Sequence, residues 1–375
     1  MARLGVENFR NHQLTVLTLD ERPVVLTGGN GAGKTNLLEA VSLLAPGRGL
    51  RGSAYSDLDR FQSGQSWALS AQVQTRYGEF AIQTRGRPQS PGMQRGGRTV
   101  TVDGAPAAGS GALADYLDVS WLTPAMDGLF TGPAAERRHF LDRLSLCVDP
   151  GHRKRITRFD RAMRQRNKLL EMNDASPLAF EGLEMQMAEL GVAMAAARLA
   201  VVRNLNSAIV NSRENCQSAF PWAVLDLDGL LEAMLEHMPA VDVEDAYRRE
   251  LATGRAQDCA ARRTLKGPHR SDLIVCHGPK DLLARTCSTG EQKALLVGLV
   301  LAHARLVKQI NDGFAPIVLL DEIAAHFDIS RREALFEDIQ NLGMQAWMTG
   351  TDGGVFSAFG NGAQFFKIAD GSALN

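Results

Sequence analysis

The chain has 375 residues, a length that corresponds to one large or two modest domains. Of these residues 45% are apolar and 22% are charged, a composition that is typical of a folded globular protein and excludes disorder of the whole chain. The 41 Lys and Arg residues balance 42 Asp and Glu residues, and the net charge of −1 gives no global basic field that would attract nucleic acid. Five scattered cysteines without CxxC spacing, and the lack of a signal-peptide or membrane-span pattern, lead us to expect a cytoplasmic protein with reduced thiols and no membrane partner.

The N-terminal part predicts short strands at 4–9, 14–19 and 23–27, separated by polar turns. A glycine-rich loop follows, and the apolar stripe Leu37, Leu38, Val41 and Leu44 then predicts a helix that ends at Pro46. Alternating apolar and polar residues at 67–75, 80–84 and 99–104 predict an antiparallel meander. This part therefore reads as an α/β lobe with a β-rich insertion.

Beyond Trp121 the pattern becomes helical, with candidate helices at 136–146, 153–170 and 178–213. Strand and turn patterns return at 266–287. We therefore predict an α/β lobe built from 1–124 and 256–375, interrupted by a helical second lobe at 125–255.

Residues 28–35, GGNGAGKT, fit the phosphate-loop pattern G-x-x-x-x-G-K-[ST] between an apolar strand and a helix. The alternative is a chance glycine-rich turn, which the correct flanking elements argue against. The pattern predicts that backbone N–H groups cradle ATP phosphates, that Lys34 reaches the β- and γ-phosphates and acts in catalysis, and that Thr35 binds Mg²⁺. The candidate nucleotide-binding residues here are Gly28, Gly29, Asn30, Gly31, Ala32, Gly33, Lys34 and Thr35.

The segment PIVLLDE at 316–322 ends an apolar strand with two acids. At the tip of a parallel strand, Asp321 would hold Mg²⁺ and Glu322 would orient and deprotonate the attacking water, which makes Glu322 the candidate catalytic base. Without the phosphate loop, an ordinary buried strand meeting a polar loop would be the simpler interpretation.

The segment CSTGEQK at 287–293 opens a long apolar helix, and Ser288 with Glu291 has capping-box spacing. Two interpretations stay open on local grounds. The segment is either a well-capped helix start, or a set of free N–H groups that bind the γ-phosphate of a nucleotide held by another subunit.

These three elements in this order resemble the SMC-like branch of the ATP-binding-cassette ATPases. The resemblance implies that two subunits sandwich two ATP molecules, that Ser288 and Gly290 contact the partner's nucleotide, and that Asp328 is the acid of the interface loop. Thr351 stands where a switch histidine is expected, and no glutamine is placed as the Mg²⁺-sensing residue. Both departures predict slow turnover.

Further segments resemble the RecF family of DNA replication and repair proteins: VENFRNH, LLEAVSLLAPGRGLR, TGPAAERRHFLDRL, RQRNKLL and LKGPHRSDL. The family implies ATP-dependent homodimerisation on gapped or duplex DNA, a RecR-type mediator and recombinase loading. Ser271 departs from the family, in which an acid is expected after GPHR. His269 and Arg270 either reach nucleotide or DNA, or brace the junction of the lobes.

Resolved along the chain, the charge is +7 over residues 151–170 and −8 over the rest. A buried stripe of Ile156, Phe159 and Met163 would leave the arginines on the flanks and outer face of a helix, where they can follow DNA phosphates. The alternative is a solvated face paired with acids. The candidate DNA-binding residues are Arg153, Lys154, Arg155, Arg158, Arg161 and Arg164, and a weaker candidate is the 85–98 loop with Arg85, Arg87, Arg95 and Arg98.

Two rival functions stay open from the sequence. The chain could be the ATPase subunit of a transporter or another SMC-like ATPase, or it could bind ATP without hydrolysing it. The transporter predicts a switch histidine that we do not find, and the adjacent acids Asp321 and Glu322 favour hydrolysis.

Overall fold

The computed structural model describes residues 1–87, 97–172, 176–215, 220–324 and 327–374. Its contacts divide the chain into two compact units. Unit 1 comprises Met1–Asp127, Ser212–Pro221 and Ser288–Asn375, and unit 2 comprises Gly128–Asn211 and Trp222–Cys287.

Both units contain strands and helices. In chain order the strands are β1 Arg3–Phe9, β2 His12–Thr18, β3 Val24–Thr27, β4 Ala68–Thr75, β5 Gly78–Gly86, β6 Arg98–Val102, β7 Ala105–Pro106, β8 Val119–Leu122, β9 Ala223–Asp228, β10 Asp272–His277, β11 Leu282–Leu283, β12 Ile317–Leu320, β13 Ala346–Gly350, β14 Gln364–Ala369 and β15 Ser372–Leu374. The helices are α1 Lys34–Ser42, α2 Ala134–Leu146, α3 His152–Glu171, α4 Pro177–Asn215, α5 Leu230–Leu235, α6 Ala240–Thr253, α7 Arg255–Ala261, α8 Thr289–Ile310 and α9 Ile329–Leu342.

The sheet that carries the phosphate loop is mostly parallel. Its strand order is β15-β14-β3-β13-β12-β8, and only β15 runs antiparallel to its neighbour. The central strands β12 and β13 are buried along their whole length, which explains their continuous apolar sequences. The carboxyl ends of β3, β13 and β12 therefore lie along one edge, where the phosphate loop and the two acids follow.

The predicted meander is present as a second sheet in unit 1, with the order β2-β1-β4-β5-β6-β7. One basic residue of the 85–98 loop has a role that the sequence did not predict. Arg98 is buried, and its guanidinium donates hydrogen bonds to the carbonyls of Leu43, Ala45 and Gly47 just after α1. The prediction that Arg98 contacts DNA is therefore wrong. Arg85 and Arg87 are exposed, and Arg95 lies outside the described residues.

Unit 2 is rich in helices but also contains a three-stranded sheet, β11-β10-β9. The sequence predicts a lobe boundary at 255, whereas 256–287 lie in unit 2. The reason is that β10 pairs antiparallel with β9 across six residue pairs, a long-range contact that leaves no local signal. The core is apolar and is formed by α3, α4, α5 and α6. The assignment of functional domains to these units stays a prediction.

The 39-residue helix α4 confirms the predicted long helix. Its stretch Pro177–Arg213 is long and apolar enough to cross a membrane by length and composition, and the most apolar part is 61% buried in the structure. A buried core helix has the same composition, so this feature is weak evidence for a membrane span.

Candidate nucleotide-binding site

The phosphate loop connects β3 to α1 through glycines that no other residue could replace without strain. Gly28, Gly31 and Gly33 have φ values of 151°, 77° and 112°, in the region that favours glycine. A Cβ on Gly33 would lie 2.6 Å from Nε2 of His12, and one on Gly28 would lie 2.1 Å from the carbonyl oxygen of Ile368. The glycines therefore allow both the backbone turn and its close packing.

Two carbonyl oxygens of the loop, those of Ala32 and Gly33, are bound by residues outside the loop. Asn11 Nδ2 and the backbone N–H of Gly371 donate to the carbonyl of Ala32, at 3.1 and 3.0 Å. His12 Nε2 donates to the carbonyl of Gly33 at 3.1 Å, and the ring is completely buried. With these two carbonyls bound, the loop is arranged to present N–H groups to an anion.

The loop borders a cavity of 330 Å³, lined by Asn30, Gly31, Gly33, Lys34, Thr35, Asn36, Arg51 and Glu322. The structure thus brings the predicted catalytic acid together with the phosphate loop. Lys34 Nζ donates to the carbonyls of Gly28 and Gly29 at 2.7 and 2.8 Å, so its ammonium lies over the loop.

Asp321 lies beside Thr35, although β12 and β3 are separated by β13 in the sheet. The Thr35 hydroxyl donates to Asp321 Oδ1 at 2.9 Å, and Thr349, at the end of β13, donates to the same oxygen at 2.8 Å. Thr349 also accepts a hydrogen bond from the backbone N–H of Glu322 at 2.9 Å. Glu322 has φ 55°, a left-handed conformation that is uncommon for this residue type. One buried threonine therefore positions both acids.

Residues outside the predicted motif support the site. Glu39 on α1 is fully buried and accepts two hydrogen bonds of 2.9 Å from Arg10 and one of 2.9 Å from Arg51. Arg51 also donates to Asn36 Oδ1 at 2.8 Å, and this holds its guanidinium at the cavity. Arg10 lies in VENFRNH and Arg51 in GRGLR, two segments that resemble the family, but nothing local in the sequence indicates that these arginines bind Glu39.

Ser288 and Gly290 lie at the start of α8. The predicted capping box is confirmed: Ser288 Oγ accepts from the N–H of Glu291, and the Glu291 carboxylate accepts from the N–H of Ser288. Both Ser288 and Gly290 are exposed, and neither is among the described residues that line the cavity. The N-terminus of this 22-residue helix is therefore exposed and capped by its own side chains, and its binding of an anion stays a prediction.

Asp328 caps α9 and accepts hydrogen bonds from the N–H of Arg331 at 2.9 Å and the hydroxyl of Ser330 at 2.8 Å. These bonds lower the pKa of Asp328. Thr351, at the expected switch position, is exposed one residue beyond β13. Ala325 and His326 of the preceding AAHF segment lie outside the described residues.

The candidate DNA-binding residues lie on α3 in unit 2, as predicted. Lys154, Arg158, Arg161 and Arg164 are exposed, whereas Arg153 and Arg155 are half-buried and Arg155 pairs with Asp149. The expectation that every arginine of this segment lies on the flanks or outer face is wrong for Arg166. Its guanidinium is completely buried and pairs with Glu184 and Asp258.

His269 and Arg270 differ in environment. His269 is half-buried, Nε2 donates to the carbonyl of Thr264 at 3.0 Å, and burial, with the nearby Arg270 and Arg138 charges, lowers its pKa to about 4. Arg270 is exposed. The hydrogen bond of His269 thus lies within unit 2, and both alternatives for His269 and Arg270 stay predictions. The hydroxyl of Ser271 donates to the buried carboxylate of Glu232 at 2.8 Å, so the acid missing at 271 is supplied from α5.

A mostly parallel sheet with a phosphate loop and an acid-tipped strand defines a P-loop protein, and solved structures with this fold include RecF proteins and an Smc head domain. A family model described as the RecF/RecN/SMC N terminal domain matches residues 1–369. The DNA replication and repair protein RecF of Rhizobium rhizogenes is 52% identical over 371 residues, which cover 99% of this chain and 97% of that protein. The chain therefore belongs to the RecF family.

Solved structures agree on the fold. A structure of the recombination mediator protein RecF-ATPrS has a TM-score of 0.84 at 21% identity and covers 99% of this chain and 96% of that one. The Smc head domain of Pyrococcus furiosus, at 15% identity, has a TM-score of 0.54 and covers 99% of this chain and 94% of that one. The predicted fold class is confirmed: a P-loop ATP-binding-cassette-type lobe with a β-rich insertion, plus a helix-rich lobe.

Proposed function

We propose that this protein is an ATP-dependent DNA-binding protein of DNA replication and recombinational gap repair, acting in the cytoplasm. ATP binding drives formation of a homodimer on DNA at junctions between single and double strands. The dimer promotes recombinase loading together with a RecR-type mediator, and slow, DNA-dependent hydrolysis resets it. The observation that carries this proposal is the cluster of Thr35, Asp321 and Glu322 at the phosphate loop.

The residues present fit the phosphates of ATP and an accompanying Mg²⁺. Two loop carbonyls bound by residues outside the loop favour N–H groups toward an anion, and Lys34 adds a positive charge beside them. Thr35 and Asp321 offer the oxygen ligands that Mg²⁺ prefers. These two residues would hold Mg²⁺, which would supply charge neutralisation to the phosphates during their transfer.

Hydrolysis is assigned to Glu322, whose carboxylate borders the cavity and can orient and deprotonate a water molecule. Its backbone is held by Thr349 in a left-handed conformation, which limits where the carboxylate can point. Thr351 in place of a switch histidine leaves one fewer group to align the water. Turnover is therefore slow, which suits a switch.

The position of the signature residues supports the proposed dimerisation. Ser288 and Gly290 are exposed at the N-terminus of α8 and are not cavity-lining residues in the described part of the chain. The γ-phosphate held by a second copy of the chain would complete this anion-binding position. ATP then links the two subunits, because each signature helix contacts the nucleotide that the other subunit holds.

Single-turnover ATP hydrolysis, with and without gapped duplex DNA, tests this function. We expect slow hydrolysis that gapped DNA accelerates, loss of hydrolysis with retained ATP binding in Glu322→Gln, and loss of ATP binding in Lys34→Ala. Asp312→Asn changes the same charge as Glu322→Gln at an exposed turn of unit 1 and should behave as wild type. Hydrolysis that is absent in wild type, or unchanged in Glu322→Gln, would contradict the proposed role.

A further inference from the structure

The exposed face of α3 carries a continuous row of cations. The row consists of Lys154, Arg158, Arg161 and Lys168, at successive spacings of four, three and seven residues. The exposed Gln165 lies between the last two, so all of these side chains follow one line along the helix. In the described part of the chain these four side chains form no ion pair. The row extends from Lys154 to Lys168, or about 21 Å along the helix axis.

The row continues beyond α3 on the segment that follows α7. Arg262 and Arg263 are both exposed, and Arg262 has φ 52°, which ends α7 in a left-handed turn. The next residue, Thr264, donates through its N–H and its hydroxyl to Asn167 Oδ1, both at 2.8 Å. Asn167 lies one helical turn beyond Arg164, on the flank of the row. The two arginines are therefore held beside the C-terminal end of the row.

A buried network fixes this arrangement. Arg166 donates to Thr264 Oγ1 at 2.9 Å and to Asp258 at 2.6 Å, and the other Asp258 oxygen accepts from the N–H of Leu265 at 3.0 Å. The Cys259 thiol donates to the carbonyl of Leu170 at 3.3 Å. Three of these contacts connect α3 with α7 and its following segment, and the bond of Leu265 to Asp258 fixes that segment on α7, so Arg262 and Arg263 keep their position relative to α3.

The charge and composition of this surface fit a phosphate backbone. The only acids of α3 are Asp160, which is half-buried beside Arg164, and Glu171 at the end of the helix. The row itself contains no apolar side chain, whereas a protein partner of comparable size would need an apolar centre. A length of about 21 Å matches about six base pairs of duplex, at about 3.4 Å per step of each strand.

We infer that Arg262 and Arg263, together with Lys154, Arg158, Arg161, Arg164 and Lys168, form one surface that binds the phosphate backbone of duplex DNA. This inference rests on the proposed DNA binding and names the two arginines as contacts that the sequence did not indicate. Binding through phosphates releases counterions, so each contact contributes about 0.9 to the slope of log K against log salt concentration.

The test is the salt dependence of DNA binding by the full-length protein with ATP, measured by fluorescence anisotropy of a labelled gapped duplex. Arg262→Ala/Arg263→Ala should reduce the magnitude of the slope by about 1.8. Arg262→Lys/Arg263→Lys should keep the wild-type slope, because both charges remain. Arg248→Ala/Arg249→Ala on α6 removes the same charge from other exposed positions of unit 2 and serves as the matched control.

The outcomes separate the two proposals. If wild type binds DNA and the 262/263 alanine variant keeps the wild-type slope, this surface is wrong and the proposed function stands. An equal change in the Arg248→Ala/Arg249→Ala control would show an effect of total charge and would also overturn the surface. If wild type does not bind DNA at any salt concentration, the proposed function itself fails.

Discussion

At the scale of single residues, the site depends on side chains that touch two functional groups at once. Thr349 is 1% exposed and contacts both acids: its hydroxyl donates to Asp321 and accepts from the N–H of Glu322. Removing this hydroxyl would leave a buried N–H without its acceptor and would free the Asp321 carboxylate to rotate.

We therefore predict that Thr349→Val lowers the rate of ATP hydrolysis about 10- to 100-fold, the range typical of groups that orient metal ligands. ATP affinity should change little, because Thr349 does not line the cavity. Thr349→Ser keeps the hydroxyl and should restore most of the rate. Single-turnover hydrolysis and nucleotide titration separate the two effects, and an equal loss in the serine variant would argue against the hydroxyl.

His269 makes stability depend on pH in a direction that can be derived. Burial lowers its pKa in the folded protein to about 4, whereas the unfolded chain titrates near 6.5. Between these values the unfolded state binds a proton that the folded state does not. The contribution of His269 to the free energy of unfolding is therefore fully present above about pH 6.5. It is lost as pH decreases toward 4, by about 3 kcal/mol in total.

Urea unfolding at about pH 7.5 and about pH 5 measures the decrease in the free energy of unfolding between these two pH values. His269→Gln should show a smaller decrease than wild type, and His139→Gln, at an exposed position of α2, should show the full decrease. Asp142 does not contribute in this window: burial alone would raise its pKa, but hydrogen bonds from His152 and Arg198 lower it to about 2. An unchanged decrease in His269→Gln would contradict the assignment.

At the scale of elements, α3 carries arginines of two kinds, one buried in ion pairs and others exposed to solvent. Arg166 is 0% exposed and donates to Glu184, Asp258 and the carbonyl of Leu251, whereas Arg158 is exposed. A buried ion pair is costly to break from one side, because the carboxylates left behind stay desolvated.

Arg166→Ala should therefore lower the free energy of unfolding by about 3–5 kcal/mol. Arg158→Ala, an identical substitution on the same helix, should change it by about 0.5 kcal/mol or less. Urea denaturation of the two variants provides the comparison. Similar stabilities for both would show that the buried network contributes little, and the position of the 262–264 segment would then lack its support.

Local patterns in the sequence predict most elements but not the roles of buried charges. Periodicity predicts β1 to β3, the meander, α3 and α4, because their apolar residues repeat at strand or helix spacing. It places charged residues outside, which is wrong for Arg98 and Arg166, whose partners lie on distant segments. The hairpin of β14 and β15 has no strong alternation, and it is stabilised by pairing with β3 and by the contact of Gly371 with Ala32.

At the scale of the whole molecule, the site is assembled from segments far apart in the chain. The phosphate loop is near the N-terminus, Asp321 and Thr349 come from the last quarter, and the Thr35–Asp321 and Gly371–Ala32 bonds join the two. The motifs predict the chemistry of these residues, because phosphate and Mg²⁺ binding need few and specific side chains. Strand order and the positions of Arg51 and Thr349 could not be predicted, since they depend on long-range pairing.

We propose that ATP links two copies of the chain, with the signature helix of each copy completing the nucleotide-binding site of the other. Sedimentation velocity of Glu322→Gln, with and without ATP, tests this claim most directly, because the variant should bind ATP and not hydrolyse it. We predict a monomer without ATP, a dimer with ATP, and a monomer with ATP when Ser288→Arg is added to block the signature helix. A Glu322→Gln protein that binds ATP and sediments as a monomer would contradict the claim.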